Sequence, residues 1–126
     1  MSDDGKRAIY IVESDASVRQ SLARLIQAVG LEPRPCDCLE DLLRQAAGAH
    51  DGCMLLDLST PGLAEEALSS RIRQMAEKIP VIALSVRDDP AARSLARTLG
   101  AKAFFRKPVD SAALLDSIDW VTHGLT

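Results

Sequence analysis

No stretch of this 126-residue chain approaches the roughly 20 consecutive apolar residues that span a bilayer. The N-terminal Met-Ser-Asp-Asp-Gly-Lys-Arg is not followed by the apolar core of a signal peptide. These two absences point to a cytoplasmic protein with no membrane partner. A basic excess is also missing: 15 Lys and Arg stand against 18 Asp and Glu, for a net charge of −3 at pH 7. Domains that track nucleic-acid phosphates need the opposite balance, so no nucleic-acid partner is expected. Histidine is scarce, and His50 and His123 have no paired ligand spacing. The three cysteines, Cys36, Cys38 and Cys53, are odd in number, which argues against a disulfide framework. Cys36-Asp37-Cys38 could be half of a thiolate zinc site, but such a site needs four ligands. The thiols read instead as reduced, space-filling groups.

What is present fits one globular domain. Apolar residues make up 47% and charged residues 26% of the chain, ordinary values for a folded protein. The length suits a single core, since domains of roughly 100–150 residues are the commonest. No linker or low-complexity segment divides the chain, so residues 1–126 are expected to form one domain with its core at about 8–121.

Short apolar runs alternate with helix-period segments five times. Ala8-Ile9-Tyr10-Ile11-Val12 is the first strand candidate, followed by Val18, Leu22, Leu25, Ile26 and Val29 at helical spacing. Asp15 or Ser17 is placed to cap that helix, and Gly30 suits its end. Residues 32–36 contain Pro33 and Pro35, which cannot donate to a ladder, so this strand belongs at a sheet edge. A second helix carries Leu39, Leu42, Leu43 and Ala46 inward, with Asp37 and Glu40 spaced as a capping box. Cys53-Met54-Leu55-Leu56 is apolar without alternation, as in a strand covered on both faces, and stops at Asp57. A third helix is expected within 64–76, and Pro80-Val81-Ile82-Ala83-Leu84 is the fourth strand. A fourth helix opens at Asp88-Asp89-Pro90 and stops at Gly100. Ala103-Phe104-Phe105 is the fifth strand, and Asp110 begins a last helix with Leu114, Leu115, Ile118 and Val121 as its stripe. Five such units predict an α/β, doubly wound parallel sheet of order 2-1-3-4-5 with helices on both faces.

In folds of this kind the functional site lies beyond the C-terminal ends of the strands. The first strand leads into Glu13-Ser14-Asp15, the third into Asp57, the fourth into Ser85 and the fifth through Arg106 to Lys107-Pro108. Carboxylates, a hydroxyl and an ammonium on one rim suit phosphoryl chemistry: a carboxylate attacks phosphorus while a cation and a donor neutralise the oxygens. Taken singly, Lys107 reads as an inward partner of Asp57 or as a solvated lysine. Ser85 is either a site hydroxyl or a cap on a strand-end amide.

From about Ala8 to Val121 the chain resembles response-regulator receiver domains. The matching pieces are Ile11-Val12-Glu13-Ser14-Asp15 with Val18-Arg19, Leu56-Asp57-Leu58-Ser59-Thr60-Pro61-Gly62, Pro80-Val81-Ile82-Ala83-Leu84-Ser85, Gly100-Ala101 and Phe105-Arg106-Lys107-Pro108. The resemblance implies two-component phosphorelay signalling, with Asp57 accepting a phosphoryl group from a histidine kinase or phosphotransfer protein. It implies Lys107 as the phosphate-pairing lysine, Ser85 as the switch hydroxyl, Phe104 as the switch aromatic, and a cis Lys107–Pro108 bond. It also implies a Mg²⁺ site from Glu13, Asp57 and the Ser59 carbonyl. Receivers often dimerise through helix four, strand five and helix five, where this chain carries Arg93, Arg97, Arg106, Asp116 and Asp119.

The chain departs from that family at the metal corner. Ser14 stands where a second acidic residue usually supplies a direct ligand, so Mg²⁺ binding is expected to be weakened or absent. Asp15 and the longer Glu13 are the candidates to compensate. Thr60 replaces a usual methionine, and Glu65 replaces a glycine that would be strained if its φ were positive. The alternative function is therefore an interaction or dimerisation module that works without phosphate. An enzyme is not expected: no glycine-rich cradle, Gly-x-x-x-x-Gly-Lys loop or Gly-x-Ser-x-Gly elbow occurs.

Overall fold

A computed structural model describes residues 7–123. Its elements alternate strictly: β1 (Ala8–Val12), α1 (Ala16–Ala28), β2 (Glu32–Cys36), α2 (Leu39–Gln45), β3 (Cys53–Asp57), α3 (Glu66–Met75), β4 (Val81–Ser85), α4 (Pro90–Thr98), β5 (Ala101–Arg106) and α5 (Ser111–His123). The five strands form one parallel sheet of order β2-β1-β3-β4-β5, the expected doubly wound topology.

The pleat divides the core in two. Tyr10, Val12, Met54, Leu56, Val81 and Ala83 face α2, α3 and α4, packing on Leu42, Ile72 and Ala96. Ile9, Ile11, Cys53, Leu55, Ile82 and Leu84 face α1 and α5, meeting Leu22, Ile26, Leu114 and Ile118. Every residue of β3 and β4 is buried. This two-sided coverage is why those strands are uninterrupted apolar runs. β2 occupies the edge, and its Glu32 N–H donates to Arg7 O at 2.9 Å. Pro33 and Pro35 alternate with Glu32 and Arg34 along the strand, which turns their donorless nitrogens toward the open side.

Local caps set most helix starts. Asp15 caps α1 by accepting from the N–H groups of Ser17 and Val18, and Asp89 caps α4 by accepting from Ala92 N–H. The Asp37/Glu40 capping box does not form. The cap of α2 is Cys38, with no side-chain bond, because the helix begins at Leu39 and leaves Asp37 outside the capping position. β5 is longer than Ala103–Phe105, beginning at Ala101 with a register shift opposite Val81 and Ile82. Exposed Lys102 sits at that irregularity, which hides the strand's first residues from a reading based on apolar runs. The Lys107–Pro108 bond is cis. Glu65 has φ −77° and caps α3 in extended conformation, so no strain arises there.

Candidate functional site

The C-terminal ends of β1, β3, β4 and β5 deliver Glu13, Asp57, Ser85 and Lys107 to the same rim. Glu13 and Asp57 continue the rows Ile9–Ile11 and Cys53–Leu55, which face α1 and α5. Both carboxylates are almost fully removed from water, at 1% and 2% exposure. Burial of that kind demands a counter-charge. Lys107 provides it: its ammonium donates to Glu13 Oε1 at 2.7 Å and to Asp57 Oδ2 at 3.4 Å. The lysine reaches Asp57 as expected, yet its shorter bond is to Glu13. Burial works against the charged ammonium of Lys107, but the Glu13 hydrogen bond and the charges of Asp57 and Glu13 outweigh it and raise the pKa.

The other carboxylate oxygens are also engaged. Asp57 Oδ1 accepts from the N–H of Ser59 at 3.0 Å and from its hydroxyl at 2.9 Å. Glu13 Oε2 accepts from Asp15 N–H at 3.1 Å. Thr60, buried at the start of the loop, donates its hydroxyl to Asp57 O at 2.6 Å while its N–H donates to the same carbonyl at 3.0 Å. A methionine could not make the first of these bonds, so the Thr60 departure stiffens the turn behind the carboxylate. Gly62, at φ 97°, completes the turn, where a Cβ would lie 2.9 Å from Leu68 Cδ1.

Ser85 occupies the other side of the pleat. It continues the Val81–Ala83 row toward α4, and its hydroxyl accepts from Arg87 N–H at 3.0 Å. That is the strand-end amide role. Its link to the site runs through the backbone, where Lys107 N–H donates to Ser85 O at 2.7 Å. Ser59 and Ser85 together line a cavity of about 190 Å³ with Leu58, Arg87 and Leu95. Phe104 is half-buried against the α2–α4 side of the core.

Two contacts escaped the sequence reading. Arg19 donates from Nη1 to Glu13 O at 2.6 Å, placing a guanidinium at the end of β1. Its spacing, four residues after the cap Asp15, was the available signal. Arg93 of α4 lies over the Phe104 ring, a pairing across 11 residues and two elements that no local pattern announces.

A divalent cation does not fit this donor set well. All four oxygens of Glu13 and Asp57 already have internal donors, and one of those donors is an ammonium bonded to both carboxylates. Asp15, the proposed helper, spends Oδ1 on the α1 cap, and Ser14 is exposed. Among the described residues no group of three or more His, Cys, Asp or Glu side chains is arranged to hold a metal. None of their helices is long and apolar enough to cross a membrane.

Comparison with known proteins agrees with this fold. Residues 9–119 match the family model for the response regulator receiver domain. The chain is 29% identical over 111 residues to the transcriptional regulatory protein TdiR of Thauera aromatica, covering 88% of this chain and 49% of that protein. It is 28% identical over 116 residues to the response regulator protein TmoT of Ectopseudomonas mendocina, covering 92% and 53%. The chain thus spans about half the length of the curated relatives it matches. Among solved structures, the response regulator StyR superposes with a TM-score of 0.80 at 28% identity, covering 94% of this chain and 60% of that one. The chemotaxis protein CheY4 of Vibrio cholerae superposes at 0.79 with 18% identity, covering 93% and 99%, a likeness of fold.

Proposed function

Because this chain belongs to the response regulator receiver domain family of two-component phosphorelay signalling, we propose that Asp57 accepts a phosphoryl group from a histidine kinase or phosphotransfer protein. Receiver domains are signalling modules rather than catalytic enzymes, and they typically bind Mg²⁺. The observation that carries the reading is a buried aspartate at the end of β3 with one oxygen bound by its own loop and the other facing an ammonium. Oδ1 is occupied by two Ser59 donors, so Oδ2 is the freer nucleophile. Its lone pair attacks phosphorus in line, the P–N bond to the donor imidazole breaks, and the imidazole keeps that electron pair and takes a proton. The product is an acyl phosphate on Asp57.

Within this reading Lys107 moves its shorter bond from Glu13 to the new phosphoryl oxygens, which carry more charge than the carboxylate they replace. Ser85 and Phe104 are the switch residues: Ser85 lines the cavity beside Ser59, and Phe104 lies on the α4 side of the sheet under Arg93. The Glu13 and Asp57 carboxylate oxygens that would hold Mg²⁺ with the Ser59 carbonyl already accept hydrogen bonds from Asp15, Ser59 and Lys107. Self-association across α4, β5 and α5 would rest on Arg97, Arg106 and Asp116, since Arg93 is held internally by Asp88 and Phe104.

The test is incubation with acetyl phosphate, with and without Mg²⁺, followed by intact mass. One phosphate adduct is expected, sensitive to hydroxylamine and absent from Asp57→Asn. No adduct under either condition, or an adduct retained in Asp57→Asn, overturns the assignment and leaves an interaction module that works without phosphate.

A further inference from the structure

The end of β1 and the end of β5 are not neighbours in the sheet, for β3 and β4 lie between them. With strands about 4.8 Å apart, three intervals separate their backbones by about 14 Å. Glu13 and Lys107 nevertheless meet at 2.7 Å, across 94 residues of sequence and above the Asp57 position. Two long side chains are needed to close such a span, and an aspartate at position 13 would be one methylene shorter. The extra length of Glu13 therefore has a structural use that differs from metal ligation.

We propose that the Glu13–Lys107 bridge is the resident counter-ion of this pocket and takes the place of a divalent cation there. Four observations carry this beyond the phosphoacceptor reading. The ammonium contacts both buried carboxylates and so supplies the positive charge that their burial requires. The remaining carboxylate oxygens face backbone or hydroxyl donors rather than open space. A second cation, Arg19, is anchored on the Glu13 carbonyl and adds positive charge to the same corner. Of the two residues after Glu13, Ser14 carries a neutral, exposed hydroxyl, and Asp15 has its Oδ1 engaged in the α1 cap. A hard dication binds oxygen sets rich in free carboxylate, and here it would have to displace an ammonium already bonded to both. Glu13 is thus a positioning residue for Lys107, holding the ammonium until a more highly charged acceptor forms on Asp57.

The experiment needs no phosphate, so its outcome is separate from whether Asp57 is phosphorylated. The full chain, labelled with ¹⁵N, is titrated with Mn²⁺ alone, and broadening of the amide signals at Glu13, Asp57 and Ser59 is followed. The wild-type protein is expected to show no saturable broadening at those amides. Ser14→Asp restores a carboxylate without disturbing the buried pair, and Lys107→Met removes the competing ammonium. At least tenfold tighter Mn²⁺ binding is expected in Lys107→Met, centred on the same amides, and tighter binding in Ser14→Asp alone overturns the proposal, because the ammonium is still in place there. Saturable broadening in the wild type, comparable with that in Ser14→Asp, overturns the proposal. Broadening in none of the three proteins overturns the role given to Lys107 and Ser14, because neither change would then have opened the site.

Discussion

The guanidinium carbon of Arg93 lies 4.3 Å from the centroid of the Phe104 ring, while the same guanidinium pairs with Asp88 in the loop before α4. One side chain thus joins the β4–α4 loop, the α4 helix and the ring of β5. The hydrogen bond from Arg93 to Asp88 also holds the Asp88 carboxyl below its usual pKa. A cation over an aromatic face at a partly exposed site contributes about 0.5–1 kcal/mol.

This contact predicts a small coupling. Arg93→Ala and Phe104→Leu should each destabilise the domain, and their double-mutant cycle should show an interaction of about 0.5–1 kcal/mol in urea unfolding. Strict additivity would mean that the ring and the guanidinium are energetically independent. In the Arg93→Ala protein the Phe104 ring signals should also move more than those of Phe105, which packs on the other face with α1 and α5.

Lys107→Met should cost stability as well as any phosphoacceptor chemistry. Two buried carboxylates would lose their shared cation, a change of about 3–5 kcal/mol for a buried pair. The sign with pH follows from the raised pKa of Lys107. Its contribution is fully present below the unfolded value near 10.5 and is lost as pH rises through the folded value. The gap between wild type and variant in denaturant titrations should therefore be steady at neutral pH and narrow only in strong alkali. A gap below about 1 kcal/mol at pH 7 would mean that water already screens the bridge.

Alkali should expose the two buried thiols. Burial pushes Cys53 up to about 12, and burial reinforced by the Asp41 and Asp37 carboxylates does the same for Cys36. Unfolded, these thiols titrate near 9.0, so the stability they lend is whole below that pH and is lost as pH rises toward 12. Each contributes a slope of about 1.4 kcal/mol per pH unit in that window. Replacing both with alanine should flatten the decline, and an unchanged slope would refute the assignment. At pH 8 the half-buried Cys38 should react with a thiol reagent well before Cys36 or Cys53.

Gly52→Ala should be among the most damaging single changes. A Cβ there would fall 2.1 Å from Ala8 O, and the backbone sits at φ +109°. Both the clash and the conformation oppose any side chain, and the contact is with β1 backbone, which cannot swing away. A loss of about 3 kcal/mol or more is expected in urea unfolding. Gly48→Ala is the comparison: its φ is +77° but nothing lies within 4 Å of the added atom, so its cost should be smaller.

Much of the fold was legible because its signals are local and periodic. The β3 run stops at Asp57, the prolines of β2 exclude all but an edge, and Asp15 and Asp89 stand where a helix needs a cap. Those facts concern residues a few places apart, and backbone hydrogen bonding alone makes them decisive. Less legible were the features that depend on where a turn begins. The α2 start passed over Asp37, and β5 took in Ala101 and Lys102 through a register shift set by its pairing with β4.

Sequence alone determined which chemical groups reach the rim, since the polar residues that close or follow the apolar runs of β1, β3, β4 and β5 come where the covered sheet ends. Tertiary structure decided how those groups share their charges. The lysine after β5 finds Glu13 at 2.7 Å and Asp57 at 3.4 Å, and Ser85 turns toward α4 instead. Those distances depend on the twist and pleat of five strands and on the reach of two long side chains, and no spacing along the chain encodes that sum.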